Sequence, residues 1–426
     1  MRGKRMVLAM MLASIGFAAA AQPVQAQTAP APTLRIDKAR IDAALKAMVA
    51  DGRAAGTSAL IWQDGREVYF GTAGMADREA KRPMRRDTIA QIYSMTKPVT
   101  GVALMQLWEK GYFRLDDQLS KYLPEYRDMQ VYGGTDRAGA AFYRPLDRPI
   151  TVRDILRHTA GFAYGPGPTE AHRAYVAADP LALTIPLAEA SKRLAGVPLL
   201  FQPGTQWEYS IAVDVQAALV ERLSGQPFAA YVQTHIFEPL KMTDTAWRQP
   251  DTKLPRFAAM NERKDSKLTR QDAATARKLN FEDHALTPGG FGLASTLDDY
   301  QRFARMLLNK GELDGARILK PSTVKLMATD QLDPAIKERA WLPDKGAVGF
   351  GFDFAVRKAP PQTHQENRGA TGEFFWDGMA STLFWVDPAN RMATVFFVQT
   401  IPFDGTLHTD IRKAVYGADY LGPPGD

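Results

Sequence analysis

The chain has 426 residues, no cysteine and a formal charge of +6, from 53 basic and 47 acidic side chains. With 45% apolar and 23% charged residues it has the composition of an ordinary globular protein, long enough for two to three domain-sized units. Without cysteine there is no disulfide framework, thiolate-ligated zinc, iron–sulfur cluster or thiol nucleophile.

The first residues read as an address. Arg2, Lys4 and Arg5 precede a nearly unbroken apolar or small stretch from Met6 to Ala21, and Val24-Gln25-Ala26 offers small residues where a signal peptidase reads. Residues 1–26 are therefore expected to be a cleaved signal peptide, and 27–33 a flexible leader. The apolar run falls short of the roughly 20 residues a spanning helix needs, so no stable membrane anchor is expected. Export implies a periplasmic or secreted protein. Loss of the leader's three basic residues would lower the net charge from +6 to +3. The remaining basic residues interleave with acids, so no nucleic-acid partner is expected.

Along the chain, Ile36, Ile41, Leu45 and Met48 space a helix ending near Gly52. Residues 58–62 and 67–70 flank Asp64-Gly65, the signal for a type I′ hairpin. Residues 98–110 read as a helix stopped by Gly111. From about 125 to 150 there is no periodicity, which suggests a long loop; Tyr132 and Tyr143 in it are expected either to cap a site or to pack at the solvent edge. Further helices are expected at 151–156 and 212–224, and from Ser295 through Leu308 with a capping-box-like start. Residues 349–356, 374–387 and 392–399 read as antiparallel strands, and 409–416 as a closing helix. The economical fold is α+β: one antiparallel sheet built from 34–95 and 331–426, flanked by helices, with a mostly helical insertion at 96–330.

The chemistry centres on Tyr93-Ser94-Met95-Thr96-Lys97 at a helix start. Spacing i, i+3 puts the Ser94 hydroxyl and Lys97 amine on one face, where the amine can take the proton as the serine attacks a carbonyl. N–H groups of the first turn are ready to hold an oxyanion. Near neutral pH this requires the lysine pKa to fall by roughly 3 units, through burial and a nearby cation or hydrogen-bond network. The S-x-x-K pattern occurs twice, so alone it is weak: Ser322-Thr323-Val324-Lys325 also fits, and there Ser322 reads as an N-cap. The first copy is singled out by its companions. Trp207-Glu208-Tyr209-Ser210-Ile211 sits at another helix entry, and Trp376-Asp377-Gly378-Met379 on a strand. His158 reads as a structural turn residue rather than a base. No histidine spacing suggests a metal, and no cofactor is expected.

Ser94-x-x-Lys97, Tyr209-Ser210 and Trp376-Asp377-Gly378, in that order, resemble the serine hydrolase superfamily of class C β-lactamases and DD-peptidases, and within it the family VIII carboxylesterases. Segments 151–161, 289–296 and 384–388 extend the resemblance over about residues 40–420. It implies a β-lactamase/DD-peptidase-like fold. It implies Ser94 as the acylated nucleophile, Lys97 and Tyr209 as a coupled general base, and the N–H groups of Ser94 and Met379 as the oxyanion hole.

The departures from that resemblance matter. β-Lactamases and DD-peptidases carry an amide-binding Asn where this chain has Ile211, and a carboxylate-binding Lys or His where it has Trp376. Asp377 would repel an anion if it faced the site. The expected substrate is a small, neutral short- to medium-chain ester. Trp376, Asp377, Gly378, Ile211, Phe291 and Trp207 are expected as substrate-binding residues. A β-lactamase or D-amino-acid peptidase is the second reading, and a catalytically weak binding protein on the same fold the third. Oligomeric state is left open.

Overall fold

A computed structural model describes residues 34–421, apart from Trp341. The signal-peptide and leader readings fall on residues outside this range. Helix α1 (Lys38–Ala50) starts at Asp37, whose carboxylate accepts the Arg40 N–H at 3.1 Å, and it buries Ile41, Leu45 and Met48. Strands β1 (Gly56–Gln63) and β2 (Arg66–Asp77) meet at Asp64-Gly65, with φ of +53° and +77°, as a type I′ turn requires. A short edge strand β3 (Arg82–Pro83) follows. Helix α2 (Thr96–Glu109) is buried from Thr96 to Leu107 on every face, the mark of a central helix rather than an amphipathic one. Helix α3 (Ala212–Ser224) packs against it.

Helix α4 (Leu297–Leu308) precedes the C-terminal strands β4 (Val348–Phe350), β5 (Ala355–Arg357), β6 (Phe374–Asp377), β7 (Leu383–Asp387) and β8 (Met392–Val398), and helix α5 (Gly405–Tyr416) closes the chain. One eight-stranded sheet runs β4-β5-β6-β7-β8-β1-β2-β3. The two ends of the chain join where β1 pairs antiparallel with β8, Thr57 opposite Val398 and Gln63 opposite Met392. Adjacent residues of β7 point to opposite faces, and their partners show what covers each: Phe384 meets Tyr300 of α4, while Trp385 meets Tyr416 of α5. With both faces covered, β8 is buried at all seven positions. The fold class is thus the expected α+β arrangement of one antiparallel sheet flanked by helices.

Several local expectations shift. Within 125–150 the chain forms a hairpin (Gln130–Thr135 with Ala141–Pro145) instead of an irregular loop, and Tyr132 and Tyr143 pack edge to face on it. Residues 349–356 and 374–387 each break into two strands. The chain turns back through Asp353 (φ +61°) in the first and Ser381 (φ +65°) in the second. Thr296, not Ser295, caps α4: its hydroxyl accepts the Asp299 N–H, while the Ser295 hydroxyl lies 2.8 Å from that of Thr245. Helix α4 packs on β1, β7 and β8, so it belongs with the sheet although it falls within 96–330. Ser322 is not an N-cap. Lys320 holds that position, Pro321 opens the helix Pro321–Met327, and Ser322 is exposed.

Candidate active site

Tyr93–Met95 forms a single 3₁₀ turn leading into α2. Tyr93 has φ +43°, in the left-handed region that a bulky residue enters at about 1–3 kcal/mol. The turn is held in place from several sides. The Ile92 N–H donates to the Leu293 carbonyl at 3.0 Å, and the Tyr300 hydroxyl donates to the Met95 carbonyl at 2.7 Å. A Cβ on Gly378 would lie 2.3 Å from the Ile92 carbonyl oxygen. Only glycine lets the end of β6 come this close to the Ser94 turn.

Lys97 lies one helical turn beyond Ser94 and is fully buried. Its ammonium nitrogen is 3.2 Å from Ser94 Oγ, 2.6 Å from the Tyr164 hydroxyl and 2.7 Å from the Gly290 carbonyl oxygen. Burial pushes its pKa down to about 7, against an opposing pull from Asp214, Asp353 and Asp377. The shift the chemistry requires is therefore met by desolvation; the charged neighbours named here work against it. Asp214, on α3, accepts the Gly289 and Gly290 N–H groups at 2.9 and 3.2 Å and so fixes the peptide whose carbonyl receives Lys97. Burial pushes Asp214 up to about 6.

The Tyr209 hydroxyl hydrogen-bonds Ser94 and Tyr164, and its ring centroid is 4.6 Å from the Lys97 nitrogen. Burial holds both tyrosines above the ordinary phenol range. Of these three groups, Lys97 alone is poised near neutral pH. Behind Tyr209, the Trp376 indole N–H donates to its hydroxyl at 3.4 Å, with ring centroids 5.2 Å apart. On another side stands His158 (φ +58°), whose Nδ1 accepts the Ser210 N–H at 3.2 Å and whose ring packs on Tyr209. Burial holds its pKa well below the usual histidine value.

A cavity of about 1160 Å³ opens over Ser94 and Tyr209. Phe291, Asp377 and Met379 line it, and so do Tyr164 and Lys345. Four expected substrate contacts, Trp207, Ile211, Trp376 and Gly378, do not. Trp207 is buried against His158 and Phe350, and Ile211 is 1% exposed at the entry to α3. Trp376 is likewise buried and acts on Tyr209 from behind. Their apolar surface goes to the core, and Tyr209 lies against the Trp376 ring. Gly378 serves by close approach to Ile92 rather than by touching a ligand. Asp377 is not the bare anion expected, since it is ion-paired with Lys345.

Sequence reasoning missed Tyr164, although it follows the 151–161 segment already singled out. Gly161 (φ +96°) turns the chain three residues before it, and a glycine with that turn beside a motif was the available signal.

The sequence matches the Beta-lactamase family over residues 41–416. Esterase EstB of Burkholderia gladioli is 30% identical over 401 residues, 89% of this chain and 95% of that one. Among solved structures, simvastatin synthase LovD from Aspergillus terreus superposes with a TM-score of 0.76 at 25% identity, over 90% of this chain and 98% of that one. EstCE1, described as a hydrolase with promiscuous acyltransferase activity, gives 0.71 at 25% identity, over 89% and 98%.

The chain belongs to the beta-lactamase family. It is a serine hydrolase of the β-lactamase/DD-peptidase superfamily, family VIII-like in its relatives. In its site the residues at 211 and 376 are apolar and buried, and a lysine reaches the cavity wall from the Leu342–Lys345 turn.

Proposed function

We propose that this beta-lactamase-family protein is an exported carboxylesterase that hydrolyses short- to medium-chain esters through an acyl-enzyme on Ser94. The observation that carries the reading is the buried Lys97 amine, held 3.2 Å from Ser94 Oγ and poised near pH 7. Neutral Lys97 takes the Ser94 proton as Oγ bonds to the ester carbonyl carbon. The N–H groups of Ser94 and Met379 receive the oxyanion, a role supported by both residues lining one cavity. The C–O bond to the alcohol breaks as the proton passes, by way of Lys97 and Tyr209, to the leaving oxygen. Water then attacks the acyl-serine while the same pair accepts its proton; the carboxylic acid leaves and Ser94 is restored.

Positions 211 and 376 offer the cavity no amide or cation for an anionic lactam, and Asp377 stands on its wall ion-paired with Lys345, which supports a neutral substrate. The test is a panel of p-nitrophenyl butyrate, nitrocefin and a D-Ala-D-Ala peptide. Ester turnover should exceed the other two by at least about 100-fold. Nitrocefin turnover above ester turnover would make the protein a β-lactamase instead.

A second reading, acyl transfer to an alcohol, is favoured by the cavity. Its 1160 Å³ exceeds the roughly 300–1,000 Å³ of an ordinary ligand pocket and leaves room for an acceptor. The names of LovD and EstCE1 point the same way. Transfer of butyrate to a long-chain alcohol in competition with water would decide it. Export rests on residues 1–26, and the mass of protein recovered from the periplasm should correspond to cleavage after Ala26.

A further inference from the structure

Asp377 ends β6 one residue after Trp376, and its carboxylate lines the Ser94 cavity. Lys345, from the Leu342–Lys345 turn, reaches the same wall and forms an ion pair with it; the two side chains are 11% and 12% exposed. The Lys345 ammonium lies 5.2 Å from the Trp376 ring centroid and 5.5 Å from that of Phe403. Trp376 donates to Tyr209, and Tyr209 bonds Ser94, so two side chains separate this cation from the nucleophile.

Asp344, Asp410, Arg412 and Lys413 also line the cavity. Arg412 is bound to Glu373 at 2.9 Å, and Asp410 to Arg53 at 2.7 Å. His408 Nδ1 is 4.0 Å from Asp377, but burial pushes its pKa down to about 4, so it is uncharged at neutral pH.

We propose that Asp377 is a specificity-determining residue that occupies Lys345 from within the wall, so that the site accepts neutral acyl groups and turns away acyl groups ending in a carboxylate. The inference rests on the esterase reading. A substrate carboxylate must displace a tethered anion from Lys345 and then sit beside it, an arrangement that selects against the wrong ligand by like charge. If the Asp377 charge is removed, the ammonium loses this ion pair within a largely dry wall, and a substrate carboxylate can take its place.

The test compares kcat/KM for p-nitrophenyl hexanoate with that for the mono-p-nitrophenyl ester of adipic acid, an acyl chain of equal length with a terminal carboxylate. In Asp377→Asn the adipate-to-hexanoate ratio should rise at least about tenfold, the rise should shrink with added salt, and it should vanish in the double variant with Lys345→Met. In Lys345→Met alone, with Asp377 bare, the ratio should fall by about threefold or more. A ratio unchanged in Asp377→Asn, a rise that survives loss of Lys345, or a higher ratio in Lys345→Met each overturns the proposal. Failure of the esterase reading is distinguishable: the wild-type protein would show no Ser94-dependent turnover of the hexanoate ester.

Discussion

Two places in this chain carry serine followed three residues later by lysine, and they differ in what surrounds them. Ser94–Lys97 opens α2, a helix buried on every face, and its lysine is enclosed by Ser94, Tyr164, Tyr209 and the Gly290 carbonyl. Ser322–Lys325 opens a short helix at the surface, and both of its side chains are exposed. The i, i+3 spacing brings hydroxyl and amine to one face in both cases. What the second pair lacks is the desolvation that brings Lys97 down to about 7. The tetrapeptide sets a distance; the enclosure turns it into chemistry.

The strongest way to break this contrast is to remove each pair in turn. Ser94→Ala and Lys97→Ala should each lower kcat for p-nitrophenyl butyrate by at least about 10⁴-fold, and the double variant should lose little more, because the two groups act as one unit. Ser322→Ala and Lys325→Ala should stay within about twofold of wild type. A fluorophosphonate should label Ser94 by mass spectrometry. Full activity in Ser94→Ala, or a label at Ser322, would dissolve the distinction.

The enclosure should also show in stability. Lys97 has a pKa of about 7 when folded against an ordinary value of 10.5. Between those values the unfolded chain holds a proton that the folded chain does not, so stability rises with pH from 7 to 10.5, and the deficit is complete below 7. At 1.36 kcal/mol per unit the deficit is about 5 kcal/mol, less the hydrogen bonds to Tyr164 and Gly290 that the lysine makes. Lys97→Met should therefore be more stable than wild type at pH 7 by about 2 kcal/mol, with the gap closing by pH 10. Lys325→Met should show no such gap. Urea midpoints at pH 7 and 10 measure it, and a gap that does not change with pH would contradict a buried lysine base.

These contrasts mark what was legible in the sequence. Local signals carried far: Asp64-Gly65 announces the β1–β2 hairpin, and the β-rich segments at both ends announce a sheet closed by β1 on β8. Ser94, Lys97 and Tyr209 come together in space as their motif order suggested. That Tyr164 and Gly290 enclose Lys97 was not legible, because they come from 67 and 193 residues away, and the segments beside or around them, 151–161 and 289–296, do not say which group meets the lysine. Side-chain direction was equally hidden. Trp207 and Trp376 were expected as substrate contacts, and only the packing in space shows that both are buried. The Lys345–Asp377 pair was invisible for a similar reason, since Asp377 read alone looks like a repelling charge.

The two tyrosines over Lys97 sharpen the comparison further, because the exposed pair has no counterpart to them. Tyr209 bonds the nucleophile, whereas Tyr164 bonds the lysine. Tyr209→Phe should lower kcat by about 10²–10³-fold, the range of a lost proton-transfer group. Tyr164→Phe should lower it by about tenfold, since it removes one hydrogen bond from Lys97 and leaves Ser94 and Tyr209 in contact. Equal losses would mean that both hydroxyls belong to one proton path.

The smallest effect separates the charge of the enclosure from its geometry. Asp214 does two things at once. Its carboxylate clamps the Gly289 and Gly290 N–H groups, and its negative charge raises the Lys97 pKa against the effect of burial. Asp214→Asn keeps an oxygen for the clamp and removes the charge, so Lys97 should deprotonate more readily. The acid limb of kcat/KM should then move below pH 7 by about half a unit to one unit, with activity at pH 7 within about threefold of wild type. Asp214→Ala removes both functions. The two N–H groups lose their acceptor, the Gly290 carbonyl loses its fixed position, and kcat should fall by about tenfold. Because Asp214 itself titrates near 6, the limb belongs to the coupled set rather than to Lys97 alone. If the Asn variant moved the limb upward, or left it in place, the charge of Asp214 would have no bearing on the base, and its role would reduce to holding the Gly289–Gly290 turn.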